Sequence, residues 1–229
     1  MRDEGTARSR IKVDVWADVM CPWCYIGKRR LEEAARAFTS TEGREVDIEF
    51  HSFELDPDLV PGRTQTFLDY NVEVKGLARD RATALLAHVT ALGRGVGLDI
   101  DFDAAKLTST RLAHQLIHHA KTHGKQPEAE EALFAAYLAQ GRNVSDLDEL
   151  GEIAEEIGLD RAEAIRALES AEHLAGVLDD ERTARSFGIS SVPFFVIDGR
   201  YGMAGAQDSG TIEDALQRAW AERYSTVPG

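Results

Sequence analysis

From Pro61 to Gly188 the chain carries helical patterning only, and strand-like stretches stand on both sides of it. A sheet made from such a chain must take its strands from the two ends and hold the helices between them as an insertion. Before the block, Ile11, Val13 and Val15 alternate with Lys12 and Asp14, the period-two pattern of a strand reaching Trp16. "VDIEF" gives a second strand, with Val46, Ile48 and Phe50 turned inward. Between them, Pro22 suits the first position of a helix, where its missing N–H has no helical partner to lose. Trp23, Ile26, Leu31, Ala34 and Phe38 supply that helix with an apolar stripe. Arg29–Glu33 and Glu32–Arg36 are spaced as i,i+4 ion pairs. After the block, "VPFFVIDGRYGMAG" reads as two strands joined at Asp198-Gly199, a strong hairpin signal. A last helix follows from Thr211 to Tyr224.

Inside the block, Pro127 opens a helix that Gly141 closes, Ser145 and Asp160 are placed as N-caps, and Gly158 and Gly188 as stops. The expected class is α/β, with residues 11–60 and 176–226 forming one sheet-bearing unit and 61–175 a helical insertion. Net charge is −14, which makes nucleic acid and anionic membrane surfaces poor partners. No apolar run approaches the roughly 18 to 20 residues that span a bilayer. The start, "MRDEGTARSR", lacks the apolar core of a signal peptide, and two cysteines do not make a secreted disulfide scaffold. The expected address is the cytoplasm.

Those two cysteines, Cys21 and Cys24, sit at the strand-to-helix turn in "CPWC". Cys21 falls at the N-cap, where unpaired backbone N–H groups and the positive end of the helix dipole stabilise a thiolate. Cys24 lies one turn on, facing the same side, placed to attack a mixed disulfide formed on Cys21. Two other readings compete. A structural disulfide closing so small a ring contributes only about 2 kcal/mol by loop entropy. Half of a zinc site needs two more ligands. "AHQLIHHAKTHGK" offers His114 and His118, and His119 and His123, each four apart. On a helical wheel His119 and His123 flank the apolar face of Leu112, Leu116 and Ala120 while His114 and His118 point nearly opposite, so no metal is expected. A CxxC at this kind of turn reads as a thioredoxin-like redox motif. Pro193 supports it, because a proline starting a sheet strand is confined to special positions. Asp18, three residues before Cys21, reads as a turn residue or, if buried, as a proton acceptor for Cys24. Gly205 to Asp208 read as helix-entry residues or as part of the cleft wall.

"DVMCPWCYIGKRRLE", "GLARDRA", "STRLAHQLIHHA", "LFAAYLAQGRNVSD" and "SFGISSVPFFVIDGRYGMAGAQ", in that order, resemble the DsbA-like family, FrnE-type subgroup, from about Val13 to Trp220. The resemblance implies a thioredoxin fold, a four-stranded mixed sheet with a large all-helical insertion, and thiol–disulfide oxidoreductase activity. It makes Cys21 the attacking and Cys24 the resolving thiol, with Pro22 and Trp23 between them at the substrate surface. It places the family's cis-proline on Pro193 and gives the Val192 backbone to an extended substrate. Protein or peptide thiols and disulfides are the implied partners, glutathione can serve as co-substrate, and no cofactor beyond the cysteine pair is implied. The second cysteine pair that some members carry near the C-terminus is missing here, which excludes an internal relay. A neighbouring branch, the kappa-class glutathione transferases and 2-hydroxychromene-2-carboxylate isomerases, shares the architecture but typically has serine at the first-cysteine position. Its chemistry has no use for a resolving thiol.

Overall fold

The computed structural model describes residues 10–40, 44–62 and 65–225. Residues 1–9, most of the charged start, and residue 226, the end of the last expected segment, lie outside the described residues. The alternating segment forms β1 (Arg10–Ala17), in which Ile11, Val13 and Val15 are buried. β2 (Glu45–Ser52) runs parallel to it and sets Val46, Ile48 and Phe50 beside those three residues. A parallel pair needs a crossover, and α1 (Pro22–Thr39) supplies it. β3 (Phe194–Ile197) pairs antiparallel with the other edge of β1, and β4 (Tyr201–Ala204) antiparallel with β3. The sheet order is therefore β2-β1-β3-β4. At the hairpin, Asp198 and Gly199 hold φ of 52° and 66°, the left-handed pair that Asp-Gly adopts at little cost.

Between β2 and β3 the chain forms α2 (Phe67–Glu73), α3 (Arg79–Gly95), α4 (Arg111–Thr122), α5 (Gln126–Leu138), α6 (Leu147–Glu156), α7 (Arg161–Glu169) and α8 (Leu174–Ser186). The only extended pairing among the described residues of that span is an isolated bridge, Thr66 to Lys106. A final helix, α9 (Ser209–Ser225), packs on α1, where Trp220 meets Phe38 edge-on with ring centroids 5.8 Å apart. This is a thioredoxin fold with a large helical insertion.

Three local expectations change. Asp146, not Ser145, caps α6, with Oδ1 accepting from the Asp148 and Glu149 amides. The Ser145 hydroxyl is already held by Asn143 Oδ1 and Thr108 Oγ1. Arg29 bonds Glu32 and Glu131 of α5 rather than Glu33. Glu32 turns to Lys28 and Arg29 rather than Arg36. Glu131 decides this: Tyr25, Lys28 and Arg29 all converge on it, and a partly desolvated cluster outweighs an exposed i,i+4 pair. The cluster fixes the first two turns of α1, those that follow the cysteines, to the helical block.

A second polar network fastens α8 to the sheet. His51 Nε2 faces Asp14 Oδ1 at 2.8 Å and His51 Nδ1 faces Asp180 Oδ1 at 3.0 Å. Both ring nitrogens must then donate, which requires the imidazolium. Burial pulls the His51 pKa down, yet the two carboxylates outweigh it and raise it to about 9. Asp180 also accepts from the Ser52 amide and from His118, and its carbonyl accepts from the Trp16 indole. Burial alone would raise the Asp180 pKa, but these donors hold it well below the usual carboxylate range. The Trp16 ring stacks on His51 at 4.6 Å.

Candidate active site

β1 ends at Ala17, and the chain turns through Asp18 to Met20 before α1 begins. Cys21 is the N-cap, with extended backbone (φ −88°, ψ 110°) and no side-chain cap bond; Pro22 starts the helix. Cys21 N donates to Asp18 O, closing the turn, and Cys21 O accepts from Cys24 N and Tyr25 N. The Cys21 thiol donates to Val192 O at 3.8 Å, across 171 residues of sequence. The Val192–Pro193 bond is cis. The structure thus brings together Cys21, Cys24, Val192 and Pro193, residues from opposite ends of the chain.

Cys24 lies against Cys21, and both are buried. Burial first, then its hydrogen bond to Cys21 and the charge there, push the Cys24 thiol well above its ordinary value. Beside it, Asp18 is fully buried, so the first condition for a proton acceptor is met. Its backbone N–H is directed at the Cys24 sulfur. Its carboxylate accepts from Leu55 N at 2.7 Å, Met20 N at 3.3 Å and His114 Nε2 at 3.3 Å. His114, which the sequence offers only as a possible zinc ligand, is bonded to Asp18 instead. Burial pulls its pKa down, but the hydrogen bond to Asp18 and the charges of Asp18, Glu130 and Glu54 raise it above the ordinary histidine value. Glu130 completes the buried group; burial lifts its carboxyl to about 7, with His114 and Lys28 pulling the other way. A helical wheel assumes one apolar face. α4 is instead enclosed by α5, α6, α7 and α8 and by the Asp18 turn, so His114 is buried with the apolar residues. His118 likewise ends on Asp180. Among the described residues, no cluster of metal-ligating side chains includes either cysteine.

A cavity of about 270 Å³ opens beside Cys21. Met20, Pro22 and Trp23 form its floor, and Phe67, Tyr70, Leu85 and Val89 of the insertion its roof, with Asn71 and Lys75 at the wall. A larger cavity, about 680 Å³, lies between α2, α3 and the 99–103 loop, away from the cysteines. Gly205 to Asp208 are not on the wall beside Cys21. Gly205 N instead donates to Pro193 O, and Asp208 accepts from Thr211 N at the start of α9. One contact holds Pro193 against α1. A Cβ on Gly27 would stand 2.9 Å from Pro193 Cγ and 3.3 Å from Phe195 Cζ. Gly27→Ala should therefore lower Tm, although alanine is the better helix former by about 1 kcal/mol, because overpacking a rigid proline ring costs about 1–3 kcal/mol. A raised Tm would show that the proline can retreat.

A model of the DSBA-like thioredoxin domain matches residues 12–217, and the chain belongs to that family. It is similar to a probable DsbA oxidoreductase from Streptomyces coelicolor, with 35% identity, a TM-score of 0.87, and coverage of 96% of this chain and 92% of that one. The uncharacterised protein YwbO of Bacillus subtilis is 28% identical over 90% of this chain and 96% of its own length. Fold alone links it to the cytosolic disulfide reductase DsbM of Pseudomonas aeruginosa, solved with glutathione (19% identity, TM-score 0.57, 93% and 98% covered). A 2-hydroxychromene-2-carboxylate isomerase is likewise similar in fold (14%, TM-score 0.71, 95% and 100% covered). Among the described residues, no helix is long and apolar enough to cross a membrane.

Proposed function

We propose that the chain is a thiol–disulfide oxidoreductase that exchanges disulfides with protein or small-thiol substrates through Cys21 and Cys24. One observation carries the reading: Cys21 Sγ stands at the head of α1 within 3.8 Å of Val192 O, with Cys24 buried directly behind it. The Cys21 thiolate attacks a substrate disulfide; one substrate sulfur leaves as thiolate and the other is bonded to Cys21. Cys24 then loses its proton to Asp18 and attacks Cys21 Sγ. The second substrate thiol leaves, and the protein holds the disulfide. Two electrons pass to the substrate, and the reverse sequence oxidises one. A buried thiol with a raised pKa needs such an acceptor, and His114, hydrogen-bonded to Asp18, positions it.

Val192 and Pro193 border the surface where an extended substrate would lie, and Pro22 and Trp23 supply its apolar floor. Residues 61–175 act as the inserted roof, with 11–60 and 176–226 as the catalytic unit. The relative solved with glutathione supports a small thiol as co-substrate. In the cytoplasm, where the glutathione pool keeps dithiols reduced, the reductive direction is favoured. The reduced protein is therefore expected to precipitate insulin by cutting its disulfides, and to show no conjugation of glutathione to an electrophile. Conjugation without insulin reduction would instead support a glutathione transferase of the kappa-class branch.

A further inference from the structure

His119 and His123 lie one turn apart at the end of α4, and α7 brings Glu163 against them. One ligand atom from each of the three falls within 4.8 Å of the others. His123 Nδ1 donates to the His119 carbonyl at 3.0 Å, which leaves its Nε2 as the lone-pair nitrogen, 3.6 Å from Glu163 Oε1. Two ligand atoms on a tetrahedral zinc ion stand about 3.3 Å apart, so this pair is already close to that spacing. His119 Nδ1 and His173 Nε2 stand 3.4 Å apart, and in the tautomer in which His119 donates, its own Nε2 is the second lone-pair nitrogen. That atom is buried and has no hydrogen-bond partner, and His119 as a whole is only 4% exposed. A buried imidazole nitrogen without a partner carries a desolvation cost that a bound ligand removes.

We propose that His119, His123 and Glu163 form a binding site for a divalent transition metal, zinc above all, with His173 as the outer partner that orients His119. Two imidazoles and a carboxylate suit zinc, and three protein ligands leave a fourth position for water or an incoming oxygen. Both ligating rings have their second nitrogen tied to a carbonyl or another ring, the outer support that metal-binding histidines usually have. Glu163 and His123 are exposed, so an ion can enter from solvent. The other cluster of ligating groups, Asp14, Glu49 and His51, lacks these properties. Lys12, Lys121 and Asp180 already occupy its atoms. The site stands apart from the cysteine pair, and its metal would tie α4 to α7 within the insertion.

The test uses the full chain without an affinity tag, carrying Cys21→Ser and Cys24→Ser so that no thiol competes for metal. After chelator treatment, zinc chloride is titrated by equilibrium dialysis and thermal unfolding. The expected result is saturation at one zinc per chain, with Tm raised by about 5–10 °C at zinc about a hundredfold above Kd. His123→Ala and Glu163→Gln alter exposed side chains and should fold normally; each should weaken binding by about 100-fold, and His173→Phe by about 10-fold. Absence of saturable binding, or undiminished binding in His123→Ala and Glu163→Gln, would overturn the proposal.

Discussion

Cys21→Ser is expected to lose all disulfide exchange, because the chain has no third thiol that could begin the reaction. Cys24→Ser should fail at a different step. Its Cys21 still attacks, but nothing inside the protein can release the substrate, and the mixed disulfide accumulates. Non-reducing electrophoresis and mass spectrometry distinguish the two: an adduct with Cys24→Ser, none with Cys21→Ser. The geometry sets this asymmetry. Both sulfurs are buried, but Cys21 heads the helix beside Val192 and lines the cavity, while Cys24 does not line it and is held as a thiol. Adducts forming equally on both variants would mean that either sulfur can be reached from the cavity, although Cys21 alone lines it.

The second large effect concerns stability. Asp180→Ala should cost about 3–5 kcal/mol, since it removes one of the two carboxylates holding the partly buried His51 imidazolium, leaving Asp14 alone, and deprives the Ser52 amide of its acceptor. The same network has a pH signature with a definite sign. His51 has its folded pKa raised from 6.5 to about 9, so its contribution is complete below about 6.5 and lost as pH rises through 9. Its size is about 3 kcal/mol. Asp14 and Asp180 have lowered values, so their contribution is present above the ordinary carboxylate value and lost as pH falls through the folded ones. Urea midpoints measured from pH 6 to 10 should therefore fall more steeply for wild type than for His51→Gln. Parallel profiles would show that His51 is not charged in the folded protein.

What could be read in the sequence was what depends on neighbours along the chain. Period-two alternation marked β1, Pro22 fixed the start of α1, and Asp198-Gly199 marked the hairpin, because each rests on local backbone preference. The cysteine pair was legible because spacing alone decides which side of α1 it faces. His114 was not. Its role depends on Asp18, 96 residues earlier, and on a helix enclosed on several sides. Glu131 was hidden for the same reason; an i,i+4 rule pairs Arg29 with Glu33 and has no knowledge of a carboxylate delivered by α5. Asp18 was an intermediate case: its place at the strand end was visible, but its burial, which separates a turn residue from an acceptor, was not.

Cys21 and Cys24 are proposed to form one reversible two-electron couple. The couple is tested most directly by equilibrating the protein across a series of reduced-to-oxidised glutathione ratios and counting alkylatable thiols by mass spectrometry. Two thiols should disappear together in a single transition to an internal disulfide, with little glutathione adduct at the midpoint. Thiols that titrate singly as glutathione adducts, or a pair that stays fully alkylatable in oxidised glutathione, would contradict it.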